Sequence, residues 1–246
     1  MQKLIINADD FGYSKEINQG ILEAHKAGTV TSTTIMTNEQ FFEHAISIYP
    51  KSLGLGVHLN LTWGNSLSTN KPFFKYNKHL SVLGLINKEK AEKEFRQQIE
   101  KLLEIGIQPD HLDTHHHIHA FSPINRLLIK LAKEYRIYKI RWPKEKLTSL
   151  NWKQILINNK LGKCPITTTD NFFGIKGTNN PTLNQFISYL NFKGTAEICC
   201  HPGKESSSSQ DKLKSSRPKE LEILTNPKFL EEIKQRKIQL INFKEL

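Results

Sequence analysis

With 246 residues and a formal charge of +11, the chain is long enough for a core that needs no staples, and one α/β domain spanning 1–246 is expected. Its lysines are dispersed, and the segment 88–104 alternates signs as a solvated helix face does, so nucleic acid is not an expected partner; no apolar run approaches the ~20 residues of a membrane span. Cys164, Cys199 and Cys200 lack the spacing of a zinc knuckle or disulfide framework, and the N-terminal segment turns acidic too soon for a secretory signal, which points to a reducing, cytoplasmic setting.

The first predicted element is a strand over 4–7, whose apolar run ends in polar residues as a buried strand does where it opens into a site. Ser14 then offers an N-cap, Ile17, Ile21 and Ala24 recur at helical spacing, and Gly28 can close the helix. The segments 30–36 and 53–61 read as the second and third strands. Residues 63–85, rich in Asn, Ser and Lys without a period, are expected to form a long loop near the active face. Alternation resumes with a helix over 91–105, a strand end at 111–114, a helix over 123–135 and a strand over 137–141. An irregular stretch, 144–178, precedes a helix over 182–191 and a strand over 196–200. A polar run at 206–209 is expected to be a mobile loop, followed by helix from Pro218 and a closing strand over 238–243. Strands alternating with helices along the whole length predict a mainly parallel sheet.

Several of these strand ends carry residues with chemistry. Asp9 and Asp10 follow the first strand, and two adjacent carboxylates, if buried, need a cation or a shared proton; a turn or helix cap is the plainer reading of the pair alone. His58 ends the third strand. The densest signal is His111-Leu112-Asp113-Thr114-His115-His116-His117-Ile118-His119, with five histidines and one aspartate in nine residues. If that run is a strand, the odd positions from 111 to 119 share one face. Two histidines and a carboxylate can hold a metal while leaving positions open for water and substrate. His201 directly follows the strand at 196–200 and is placed to act as a general acid, its plainer reading being a turn residue. Arg141, before Trp142-Pro143, reads either as a surface charge or as the partner of an aspartate near the metal.

These motifs in this order resemble the YdjC-like carbohydrate deacetylases, which include chitooligosaccharide deacetylases. The resemblance rests on Asn7-Ala-Asp-Asp-Phe-Gly12, Gly28-Thr-Val-Thr-Ser-Thr-Thr34 with Asn38, Gly56-Val-His-Leu-Asn-Leu-Thr62, His111-Leu-Asp-Thr-His115 with His117 and His119, and Cys200-His-Pro-Gly203; Arg217 with Glu220-Leu221 matches the C-terminal segment. It implies an α/β fold of the type seen in NodB-like deacetylases, a distorted (β/α) barrel of about seven strands. It also implies one divalent metal ion, magnesium or zinc, on Asp10, His58 and His115, with Asp9 as base, His201 as acid and Arg141 steadying the base. His117, His119 and Asn60 become the expected substrate contacts. The implied reaction is removal of an N-acetyl group from a small amino sugar or chitooligosaccharide, in a chain for which a homodimer is a candidate assembly. The alternative is a catalytically silent sugar-binding or regulatory protein on the same barrel. A glycosidase or phosphoesterase would need a second metal or a spaced pair of acids, and the sequence offers one ligand triad. Residues 63–85 and 144–178 do not follow the pattern of a characterised chitooligosaccharide enzyme, so the resemblance carries the chemistry over better than the sugar.

Overall fold

The computed structural model describes residues 1–73, 86–121, 123–143, 145, 166–205 and 211–246. In chain order the elements are β1 (Lys3–Phe11), α1 (Lys15–Lys26), β2 (Ser32–Ile35), α2 (Phe42–Ile48), β3 (Gly54–Leu59), α3 (Lys88–Glu104), β4 (Leu112–Thr114), a 3-10 segment (His115–Ala120), α4 (Ile124–Glu134), β5 (Asn171–Phe173), α5 (Leu183–Tyr189), β6 (Thr195–Cys200), α6 (Arg217–Thr225), α7 (Pro227–Gln235), β7 (Gln239–Leu240) and a 3-10 turn (Phe243–Glu245).

Among the described residues all seven strands belong to one parallel sheet, ordered β4-β3-β2-β1-β6-β5, with β7 paired to β1. β6 lies along β1 from Lys3 to Ala8, so the other edge of β1 is shared: β7 pairs at Lys3 and Leu4, and β2 takes over from Asn7. Beyond β4 the sheet continues through single bridges, Leu112 to Ile140 and Lys139 to Thr167, and the chain from Thr167 runs directly into β5. The sheet thus curls into a distorted barrel, closed on this side by isolated bridges.

Strand alternation divides the molecule into two layers. On β1, Leu4, Ile6 and Ala8 join the main apolar cluster beneath the helices, as do Leu55, Val57 and Leu59 of β3 and Ala196, Ile198 and Cys200 of β6. Their neighbours Asn7, Asp9, His58, Glu197 and Cys199 lie outside that cluster and are buried. Ile5, Ile241 and Phe243 form a separate small cluster. The ring of Phe243 stacks on His111 at 3.7 Å between centroids. A Cβ on Gly56 would lie 2.5 Å from the His111 ring, so glycine there makes room for that imidazole.

Several sequence expectations need correcting. Helix α2 was not anticipated; it is short and has no side-chain cap. β5 lies inside the stretch expected to be irregular. Residues 137–141 contribute only bridges, and the closing strand is two residues long before Asn242 caps the final turn. The C-terminal helix is two helices, because Asn226 is extended, caps α7 through Lys228 N–H, and is followed by Pro227. The loop expected over 63–85 is described to residue 73. There Glu94 of α3 anchors it, accepting from Ser66 Oγ (2.6 Å) and from the backbone N–H groups of Leu67 and Ser68. The polar run at 206–209 and Cys164 lie outside the described residues. No described helix is long and apolar enough to cross a membrane.

Candidate active site

The site forms where β1, β3, β4 and β6 end. β1 carries one extra residue between Ala8, paired to Thr33, and Phe11, paired to Ile35. Asp9 and Asp10 occupy this bulge, with Asp10 in the left-handed region at φ 69°. The bulge lets both neighbouring carboxylates be buried, at 1% and 2% exposure, while meeting different partners.

Asp10 faces the two histidines. Its Oδ1 lies 3.5 Å from His58 Nε2 and 3.3 Å from His115 Nδ1, and those nitrogens are 3.3 Å apart. Oδ2 accepts from Arg217 Nη2 at 2.7 Å, whereas the buried Oδ1 has no hydrogen-bond donor. His58 Nδ1 sits 2.7 Å from Asp113 Oδ1, so it donates there, and in the neutral imidazole Nε2 carries the lone pair that faces the triangle. Ligand bonds of about 2.0–2.2 Å at 90–110° separate neighbouring donors by roughly 3.0–3.5 Å. The Asp10, His58 and His115 donors therefore have the chemistry and the spacing of a divalent-ion site.

Asp9 faces a different set. Arg141 grips it with both Nη atoms at 2.6 Å, Asn7 Nδ2 donates at 3.0 Å and Cys199 Sγ at 3.3 Å, and His201 Nε2 stands 3.9 Å from Oδ2. Arg141 also bonds Asp113 Oδ2 (2.5 Å) and Glu197 Oε1 (2.6 Å) and is fully buried. It is no surface charge.

Burial alone would raise the carboxyls of Asp9 and Asp10, yet both are held well below the carboxylate range, Asp9 by Arg141, His58 and His201, and Asp10 by Arg217, His115 and His58. Burial lowers His58 too, but Asp113, Asp9 and Asp10 outweigh it and push it up to about 9. For His201, burial is outweighed by Glu220, Asp9 and Asp10, and its pKa is raised. Glu220 Oε2 also accepts the His201 backbone N–H at 2.5 Å. Around the site Asp9, Asp10, Asp113, Glu197, Asp211 and Glu220 are buried with the guanidiniums of Arg141 and Arg217, an excess of negative charge that a cation would offset.

The histidine run is not a strand with five side chains on one face. β4 ends at Thr114, whose Oγ1 accepts from His119 N–H (3.1 Å) and contacts His119 Nδ1 (2.6 Å), turning the chain back. His116 and His117 consequently sit at φ 56° and 51°. His115 reaches Asp10, His116 is exposed with its ring tilted against His115 at 4.0 Å between centroids, and His117 stays near the site with Nδ1 unbonded. His119 is not free to meet substrate: its Nε2 binds the carbonyl of Arg141 at 2.9 Å and the residue is fully buried. Asn60 is likewise occupied within its own loop, accepting from Thr62 and Trp63 N–H and donating to the Trp63 carbonyl.

Sequence spacing gave no role to Arg217, Glu220, Glu197 or Thr34, which bridge Asp10, His201, Arg141 and His58. The signals available were the glutamate in the middle of the apolar run at 196–200 and, for Arg217, Glu220 and Thr34, their place in the motifs of the resemblance.

Residues 3–235 match a family described as YdjC-like protein. A carbohydrate deacetylase from Clostridium beijerinckii is 37% identical, with 99% of this chain and all of that protein covered. Another from Brevibacillus brevis is 35% identical, with 99% of each covered. Among solved structures, a candidate cellobiose-phosphate cleavage protein from Enterococcus faecalis superimposes with a TM-score of 0.81 at 29% identity, covering 99% and 98% of the two chains. A family 4 acetyl xylan esterase from Clostridium thermocellum, solved with a cobalt ion, has a TM-score of 0.50 at 9% identity, covering 100% and 89%, and shares the fold.

Proposed function

We infer the reaction from one premise: this chain belongs to the YdjC-like protein family and is a carbohydrate deacetylase. We propose that it is metal-dependent and hydrolyses the N-acetyl group of a small amino sugar or chitooligosaccharide, with Asp10, His58 and His115 holding one divalent ion, magnesium or zinc. The triangle of donors 3.3–3.5 Å apart, with a buried Asp10 Oδ1 that no hydrogen bond satisfies, carries this reading.

When bound, the cation supplies Lewis acidity, making water a stronger acid and drawing charge from the amide carbonyl. Asp9 takes the proton of the attacking water. Arg141, holding both Asp9 oxygens, fixes the direction of that acceptor at the cost of some basicity. As the new C–O bond forms and the C–N bond breaks, His201 gives its Nε2 proton to the departing nitrogen, leaving acetate and a free amino sugar. Base and acid lie 3.9 Å apart, within reach of one amide. His117 is the histidine of the run that faces substrate. Raised protonation of His201, with Glu220 behind it, suits an acid that must be charged near neutrality.

Acetate release from N-acetylglucosamine and its oligomers, before and after chelation and after restoring magnesium or zinc, tests this proposal. Because the Enterococcus faecalis neighbour's description names cellobiose phosphate, a phosphorylated disaccharide belongs in the panel. Activity that is lost on chelation and restored by metal supports the reading. Acetate release untouched by exhaustive chelation removes the metal from it.

A further inference from the structure

We propose that Trp63, stacked on Tyr13 and locked by Asn60, is the platform on which a sugar ring of the substrate rests beside the reacting amide; this rests on the deacetylase reading above. Trp63 lies five residues past His58 on the loop after β3. Its ring is half-buried and belongs to neither apolar cluster among the described residues. What fixes it is polar. The Trp63 backbone N–H donates to Asn60 Oδ1 (3.0 Å), and its backbone carbonyl accepts from Asn60 Nδ2 (2.7 Å) and Asn38 Nδ2 (3.3 Å). Asn60 is itself gripped by Gln98, which accepts its N–H at 2.8 Å and donates to its carbonyl at 2.7 Å. Gly64, at φ 67°, then turns the chain against Glu39, where a Cβ would collide with the carboxylate.

Two tethers place this ring beside the candidate ligands. On one side it stacks on Tyr13, with centroids 5.7 Å apart and planes at 28°. The Tyr13 N–H donates to the Asp10 carbonyl, and the Arg217 guanidinium that bonds Asp10 lies 5.8 Å from the Tyr13 ring centre. On the other side, Thr62 Oγ1 bonds His116 Nδ1 at 2.9 Å, and the His116 ring lies against His115 with the planes tilted by 40°. One face of Trp63 is thus backed by Tyr13, on a backbone held by buried amides, at the edge of a site that handles sugars. A flat indole so held matches the apolar C–H face of a pyranose. Asn60 acts as a positioning residue: it meets the sugar through the tryptophan it holds.

The test is steady-state kinetics on the N-acetylglucosamine dimer with the metal-loaded enzyme. Trp63→Ala should raise KM about three- to tenfold with kcat within about twofold, since stacking serves ground and transition states alike. Trp63→Tyr should recover most of that loss. Asn60→Ala should raise KM in the same way, keep its metal, and add nothing further in the Trp63→Ala background, whereas Asn60→Asp, which still accepts the loop N–H groups, should be milder. An unchanged KM in Trp63→Ala, or full additivity of the two losses, overturns the proposal. If the native enzyme releases no acetate from any N-acetyl sugar, the deacetylase reading fails first, and calorimetric titration of the same dimer judges the platform alone. Binding weakened by Trp63→Ala sustains it; absent or equal binding overturns it.

Discussion

β3 shows the molecule's two regions within six residues. Leu55, Val57 and Leu59 pack into the apolar layer under the helices, while His58 joins the charged interior, and Gly54 and Gly56 leave room for Asn242 and for the His111 ring. β1 and β6 repeat the division, Ile6 and Ile198 in the apolar layer against Asp9 and Glu197 in the interior. The apolar layer stabilises by area removed from water, is non-directional and has no strained backbone in these strands. The interior buries carboxylates that are tolerable only because Arg141 and Arg217 meet them, and it includes Asp10 and His117 at positive φ. One layer holds the fold; the other is built for chemistry at a cost in stability.

The sharpest way to break this comparison is Arg141→Met. It strips the cation from Asp9, Asp113 and Glu197 and should destabilise by about 3–5 kcal/mol, read by denaturant unfolding, with acetate release abolished. The sign of its pH dependence is diagnostic. In the native protein the Asp9 pKa is depressed, so its contribution is present above the unfolded value of about 3.9 and lost only as pH falls through the folded one. Without Arg141 the buried carboxyls are raised instead, so the variant should gain stability as pH falls toward 5. An Arg141→Met protein as stable as native at neutral pH would refute the interior's dependence on pairing.

Ile6→Ala probes the other layer. It should cost about 2–5 kcal/mol by the same measurement, yet leave metal content and KM unchanged in the protein that remains folded. A smaller effect is expected of Glu220→Gln. His201 is raised above 6.5 chiefly against burial by Glu220, so acetate release should decline as pH rises through that pKa, and the substitution should move this alkaline limb toward lower pH. The smallest is Arg96→Met, which removes a partly exposed ion pair with Glu92 and Glu134 and should change stability by less than about 1 kcal/mol and activity not at all.

The same division explains what sequence reveals. An apolar run that ends in polar residues is a local signal, so the strands near 4–7, 53–61 and 196–200 and the chemistry-bearing residues at their ends could be read directly, as could α1 from its Ser14 cap. The histidine run could not, because its path depends on one hydroxyl, Thr114, capturing His119 and ending β4 after three residues. Arg217 was marked only as part of a C-terminal motif, and its partner was hidden. It meets Asp10 across 207 positions, and no spacing rule links a helix N-terminus to a bulge so distant. Asn60 was expected to contact substrate, but its hold on Trp63 is visible only once the loop is folded.

The central claim is that the adjacent aspartates Asp9 and Asp10 have different jobs, and metal content and acetate release measured on the same samples of Asp9→Asn and Asp10→Asn test it most directly. Asp10→Asn should lose both metal and activity, because the carboxylate that faces His58 and His115 is gone. Asp9→Asn should keep about one ion per chain while turnover falls about 10²–10⁴-fold, because an amide cannot take the proton. Asp9→Asn emptied of metal beside an Asp10→Asn that stays loaded would contradict the account and exchange the two roles.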